Sequence, residues 1–524
     1  MVRQVRAVAL IALFASTLAA QSLREVTTVE VVEVPVYVTA SGDPLTGLTR
    51  DQFRLFVNGK PQSIDYFDVV DFAGLSPEEA QNPRQRRLYF LLFDLSSDIF
   101  ALGRARKAVD AFVQQAAATD RFAVATLGQQ GLNILMPFTQ DRGAIRHAVR
   151  SLRADTQDPL RIASGSLAQE ILESQRTKFD EGSEQPEAGT NELAEMMQEL
   201  EAEPLIRTLE DTLKLIDGIA RQLAPLEGHK HVVLFSTGFD PTLATGGRSD
   251  TRISNLQQGV MADLAAPIVQ KMVTPPAGAP KSSSTLLKAL DALNARYASA
   301  AVFLDAIDIA GVRSMMFGDG NRGGLYMLAR TGQVIANRND IGAAIRDLTD
   351  MQRVVYVLGF HPRNTRKQNS IRVELENVPG HPRVTHRRSF STTPEPSSSS
   401  DLLLADIVSN DIPQNGLSVT VDVDTSKLGI ATVSATIPGR ELLALGNHHV
   451  SAKALIYVFA GSRAIAFQGK EIEIDPRRAR ALEDLDLRLS HSFDLPPGQF
   501  TAKVLLRVDG VDARGFGRVG FEMK

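Results

Sequence analysis

The residues of this sequence best placed for chemistry are Asp94, Ser96 and Asp98, within Phe93-Asp94-Leu95-Ser96-Ser97-Asp98. They alternate along the chain, so an extended backbone turns all three side chains to one side, where their oxygens converge. Carboxylates and hydroxyls are the donors that a hard divalent cation such as Mg²⁺ or Mn²⁺ takes. The competing use of Asp98 is as the cap of a helix beginning near Ile99, an ordinary role for aspartate.

Other chemistry is thinner. Gly318-Asp319-Gly320-Asn321-Arg322-Gly323 has the lettering of a dinucleotide fingerprint, with Asp340 further on. That motif needs a strand feeding directly into the glycines. The nearest expected strand ends near Asp308, so the segment reads as a glycine loop and Asp340 as a helix cap. Asp305 and Asp308 read as caps or loop hydrogen-bonders, and the pair His448-His449 as a solvated turn. No H-E-x-x-H, Walker A, G-x-S-x-G or EF-hand pattern is present, so the sequence shows no catalytic constellation and predicts a protein that is not an enzyme.

The elements that must position Asp94 follow from periodicity. Leu88 to Phe93 is an unbroken apolar run, as in a strand buried on both faces, and Ala101 to Ala118 has helical spacing. Asp94 therefore falls where a buried strand hands over to a helix, the end of the strand at which open α/β sheets bind ligands. Phe122 to Thr126, Asn133 to Phe138, His231 to Phe235 and Ala300 to Ile307 read as further strands. Helices fit Gly143 to Leu152, Leu205 to Leu223, Ser284 to Ala298, Gly323 to Arg330 and Ile341 to Met351. This alternation predicts a doubly wound, mostly parallel α/β sheet over 87–391, which Val354 to Phe360, Ser370 to Glu376 and Arg383 to Phe390 could extend. An acidic insertion, 157–204, interrupts it and reads as a helical excursion with a solvated loop.

Before this domain, Val32, Val34, Val36 and Val38 alternate with polar neighbours, with Pro35 suggesting an edge strand, and Asn58-Gly59 signals a tight hairpin. Residues 24–75 read as a small β-domain. After it, Pro394, Pro396 and four consecutive serines mark 392–400 as a linker. Beyond that point helical signals nearly vanish, and 401–524 reads as a β-sandwich. At the chain start, Arg3 and Arg6, an apolar run from Ala7 to Ala20 and small residues before Gln21 read as a signal peptide over 1–20. The expected location is secreted or periplasmic, with no stable membrane insertion after cleavage.

Composition narrows the function classes. The chain has 524 residues, with 57 Lys+Arg against 61 Asp+Glu and a net charge of −4, so nothing global draws it to nucleic acid. The absence of cysteine excludes disulfides, thiolate metal sites and thiol nucleophiles. The absence of tryptophan argues against a carbohydrate platform of stacked indoles.

The Asp94 motif resembles the D-x-S-x-S metal-ion-dependent adhesion site of von Willebrand factor type A domains. More narrowly, the chain is similar to the VWFA-related family described from Acidobacteria. That likeness is carried by the Val-rich opening strand, Gly47-Leu48-Thr49-Arg50-Asp51-Gln52-Phe53, Val57-Asn58-Gly59-Lys60-Pro61, Leu234 to Asp240 and Tyr356-Val357-Leu358-Gly359-Phe360-His361-Pro362, over about residues 24 to 391. The resemblance implies a metal site with Asp94 and Ser96 in the first two positions and Asp98 in the third, where serine is usual. It also places Thr237 where a second aspartate normally stands, and a distal threonine at Thr156, with Thr139 as the weaker alternative. Such a site is degenerate. Two carboxylates bound directly to the ion would weaken its attraction for a partner's acidic group. The resulting expectation is a non-enzymatic, adhesion-type protein that binds an unknown protein partner. Its rivals are a metal-dependent hydrolase of unknown substrate and a structural envelope component.

Overall fold

In this computed structural model the described residues are 31–153, 188–245, 284–312, 321–362, 368–391, 400–445, 450–474, 485–511 and 513–524, together with residue 482 and less residues 77, 80, 81, 98, 118 and 129. The chain opens with β1 (Val32–Ala40), β2 (Asp43–Pro44), β3 (Phe53–Val57), β4 (Lys60–Gln62) and β5 (Tyr66–Asp71). The β3–β4 hairpin turns on Asn58 and Gly59, both with positive φ (51° and 77°), as a tight hairpin turn requires.

The α/β unit follows. It comprises β6 (Arg87–Asp94), α1 (Ile99–Gln115), β7 (Arg121–Gly128), β8 (Gly131–Thr139), α2 (Arg142–Ser151), α3 (Ala188–Leu223), β9 (His229–Ser236), α4 (Ser284–Ser299), β10 (Val302–Asp308), α5 (Arg322–Leu328), β11 (Val334–Ile335) and α6 (Ile341–Met351). The six strands lie in the order β11-β10-β9-β6-β7-β8. All neighbours are parallel except β8, which runs antiparallel to β7. The period-2 alternation of β6 sends Leu88, Phe90 and Leu92 into a core with α3 and α4, and Tyr89, Leu91 and Phe93 into a second core with α1, α2 and α6. Both faces are covered, which is why the strand reads as an unbroken apolar run.

Three expectations change here. The strands β12 (Val354–Phe360), β13 (Gln368–Leu375), β14 (Arg383–His386) and β15 (Ser389–Ser391) do not extend the parallel sheet. They join the N-terminal strands in two antiparallel sheets, β14-β1-β12-β5 and β15-β13-β3-β4. The small β-domain is thus completed by chain about 300 residues later, and the division into 24–75 and 87–391 separates strands of one unit. Nor is β1 an edge strand, since it lies between β14 and β12. Pro35 is tolerated because the β14 ladder covers only Val36 to Thr39, so its missing N–H falls beyond that ladder. Within the acidic insertion, residues 188–204 belong to the 36-residue helix α3, with Pro204 inside it; residues 157–187 lie outside the described residues.

The C-terminal part opens with a helix, α7 (Asp401–Asn410), where only strands were expected. Its Leu402, Leu403, Ile407 and Val408 enter the α3/α4 core, and Asp406 pairs with buried Arg86 at the foot of β6, with Nη1–Oδ1 3.1 Å. Then come β16 (Thr420–Lys427), β17 (Ile430–Ile437), β18 (Val450–Ala460), β19 (Arg463–Ile474), β20 (Leu487–Asp494), β21 (Gly498–Val508) and β22 (Arg514–Met523). They form two antiparallel sheets, β16-β17-β20 and β19-β18-β21-β22, around one core containing Val433, Ile437, Ile456 and Val504. The linker residues 392–399, the segment 1–30 and His448-His449 lie outside the described residues. Among those described, no helix is long and apolar enough to cross a membrane.

Candidate metal and partner-binding site

In a doubly wound sheet, connections leave in opposite directions from the two central strands, opening a crevice beyond their carboxyl ends. Here those strands are β6 and β9, parallel neighbours with Phe93 opposite Phe235. Their next residues, Asp94 and Ser236, therefore stand side by side at the crevice. The side chains meet: Ser236 Oγ donates to Asp94 Oδ2 at 2.5 Å. Ser96 donates to Oδ1 from both its hydroxyl (2.5 Å) and its backbone N–H (3.0 Å), and Ser97 Oγ reaches Oδ2 at 3.3 Å. One carboxylate thus gathers three hydroxyls from two strand ends. This is an all-oxygen donor set, fitting a hard cation better than a soft one.

The loop after β9 is held rigidly over this point. Thr237 donates its backbone N–H to Ser97 Oγ at 3.1 Å, and Gly238 donates to Ser236 Oγ at 2.9 Å. Gly238 has φ +81°, and a Cβ there would fall 2.1 Å from the Asn321 carbonyl oxygen, so the turn packs flush on the start of α5 only as glycine.

The expected site residues fare differently. Asp94 and Ser96 are brought together. Thr237 lies beside them and supplies the backbone contact to Ser97, whereas the side chain from this strand end that reaches Asp94 belongs to Ser236. Asp98 and Thr156 lie outside the described residues. Thr139 is excluded by the direction of β8: it pairs with Phe122, whose parallel neighbour is Tyr89, five residues before Asp94. At ~3.3 Å per residue that is about 16 Å from the crevice. Ser97 and Ser236 were missed, although Ser97 sits within the motif and Ser236 is the last residue of an apolar run.

Asp305 and Asp308 are engaged in separate hydrogen-bond networks. Asp305 accepts from Gln333 N (2.9 Å), meets His231 Nδ1 at 3.0 Å and lies in a buried network reaching Tyr37. Asp308 accepts from Ala310 N at 3.0 Å and pairs with Arg322 Nε at 3.1 Å. Asp340 caps α6 through Ala343 N at 2.9 Å. Among the described residues, no group of three or more His, Asp or Glu is assembled to hold a metal. Asp94 and its hydroxyls are the surviving oxygen site among the described residues, and exposed apolar side chains follow the strand ends: Ile99 (49%) and Phe100 (76%) open α1, and Val312 (57%) lies just beyond β10.

No protein-family model and no curated protein matches the chain. Among solved structures it matches the crystal structure of the SpRpn10 VWA domain at 10% identity, over 50% of this chain and 94% of that one, with a TM-score of 0.22. With values this low, the fold assignment rests on the strand order and directions described above.

Proposed function

We propose that this chain is a secreted or periplasmic, non-enzymatic binding protein that engages a protein partner at the Asp94 crevice. The site is a degenerate version of the von Willebrand type A adhesion site, and a Mg²⁺ or Mn²⁺ ion there would supply a positive centre for a partner's oxygen ligand. The observation that carries the reading is the convergence of Ser96, Ser97 and Ser236 hydroxyls on the Asp94 carboxylate at the strand-order switch. These residues would hold the ion, and the backbone of Thr237 and Gly238 keeps two of the hydroxyls in place. The exposed Phe100 and Ile99 beside the site favour a protein partner over a small polar ligand.

The test is calorimetric titration of Mg²⁺ and Mn²⁺ with partner capture from an extracytoplasmic extract, for the native chain and Asp94→Ala. Weak metal binding and metal-dependent capture, both lost in a still-folded Asp94→Ala, are expected. Capture that survives both EDTA and the substitution would move the binding surface elsewhere. Metal-dependent turnover of a substrate, lost in Asp94→Ala, would favour the hydrolase.

A further inference from the structure

The outer face of α1 and α2 carries a concentrated positive charge that the crevice reading does not use. From Ile99 to Gln115 and from Arg142 to Arg153 the chain holds seven arginines and lysines and a single carboxylate, Asp110, within a protein whose net charge is −4. Arg104, Lys107, Arg150 and Arg153 are exposed, with Arg106 and Arg146 half-buried between them.

Among the described residues these cations are held in place more than they are neutralised. Arg106 Nη2 donates to the Arg150 carbonyl at 2.6 Å, and Arg153 Nη1 donates to the Arg150 and Leu152 carbonyls at 3.2 and 2.9 Å. Arg104 Nη2 donates to the Ile309 carbonyl at 2.8 Å. Carbonyls fix a guanidinium and offset only part of its charge. Arg146 and Arg150 share the one Asp110 carboxylate, each at 2.9 Å. Tethering removes part of the side-chain entropy that long cations otherwise lose on binding, and each guanidinium keeps N–H groups for a carboxylate.

We propose that the α1–α2 face is a docking surface for an acidic protein segment, separate from the Asp94 crevice. A protein segment is favoured over nucleic acid or anionic lipid because the face begins at the same end of α1 as the exposed Ile99 and Phe100, an apolar margin suited to protein.

The experiment is fluorescence anisotropy of a labelled glutamate-rich peptide with the full chain, with and without EDTA. Binding should appear at low ionic strength and weaken above ~0.1 M salt, where the screening length is about 10 Å. Lys107→Glu/Arg150→Glu should weaken it about tenfold or more, and Lys107→Gln alone, at an exposed position that should leave the fold intact, by about twofold. Arg488→Glu, on the exposed side of the sandwich strand β20, and EDTA should leave it unchanged, so failure of this proposal and failure of the crevice reading are distinguishable. Equal binding by the folded double variant overturns the proposal. So does tighter, Lys107- and Arg150-dependent binding of a single-stranded oligonucleotide or phosphatidylglycerol vesicles. Peptide binding that requires deletion of the chain's own acid-rich residues 157–186 also overturns it, since the face would then be satisfied within the molecule.

Discussion

Asp94 shows how a residue's role is set by what its neighbours donate. Its carboxylate takes hydroxyl bonds from two strands, so removing it orphans Ser96 and Ser236 locally while the sheet below, packed by Phe93 against Phe235, stays intact. A residue with a sharper thermodynamic signature is Lys230, which is 6% exposed and whose Nζ donates to the Ala224 and Leu226 carbonyls at 3.1 Å each, tying off the chain just beyond α3. Burial, and after it the nearby Arg387, pushes its pKa down to about 7 from an ordinary 10.5. Between those values the unfolded chain holds a proton that the folded chain has released. Stability therefore rises with pH from about 7, by at most ~1.4 kcal/mol per unit, and the penalty of burying the charge is fully present below that range. Denaturant titrations from roughly pH 7 to pH 9.5 should show this rise, and Lys230→Met should flatten it; an unchanged slope in the variant would locate the titration in another group.

Among the elements, α7 does the most with the least length. Ser400 caps it, bonding Leu403 N and reaching back to the Gln222 carbonyl. Its apolar side enters the α/β core, while Lys503 of the sandwich donates to its Val408 carbonyl at 2.8 Å and pairs with Asp411 at 2.9 Å. The Arg86–Asp406 pair is 2% and 1% exposed. Removing one partner of such a pair leaves an uncompensated buried charge, which costs about 3–5 kcal/mol. Asp406→Ala should lower stability by that order, and Arg86→Met/Asp406→Leu should recover most of it; a loss under ~1 kcal/mol for Asp406→Ala would mean water reaches Arg86. The sequence hid this helix because its apolar residues face a distant core. Leu402, Leu403 and Leu404 in succession carry little helical periodicity, and a Ser/Pro-rich stretch precedes them.

For the whole molecule, the consequential fact is that the N-terminal β-unit is discontinuous. Val34 and Val36 of β1 pack with Tyr356 and Phe360 of β12, and Tyr37 of the same strand meets His231 of the α/β sheet, Oη to Nε2 at 2.9 Å. A fragment of residues 82–412, which keeps α7, would expose Tyr356, Leu358, Phe360 and Phe390, all 1% exposed or less in the intact chain. It should aggregate or melt without cooperativity, whereas 31–412 should unfold in one transition, as followed by calorimetry. Independent cooperative folding of 82–412 would contradict the shared β-unit.

What the sequence determined by itself is what local pattern controls. The two-sided apolar run of β6, the helical stripe of α1, the Asn58-Gly59 hairpin, the Asp340 cap and the position of Asp94 at a strand's end all follow from periodicity and short-range hydrogen bonding. Tertiary structure alone decided which strands are neighbours. Strand pairing depends on the registry of backbone groups far apart in the chain, and residue type records little of it. That pairing carried 354–391 back to the N-terminal strands, set β8 antiparallel so that Thr139 fell at the wrong end of the sheet, and placed Ser236, an ordinary serine after an apolar run, against the carboxylate of Asp94.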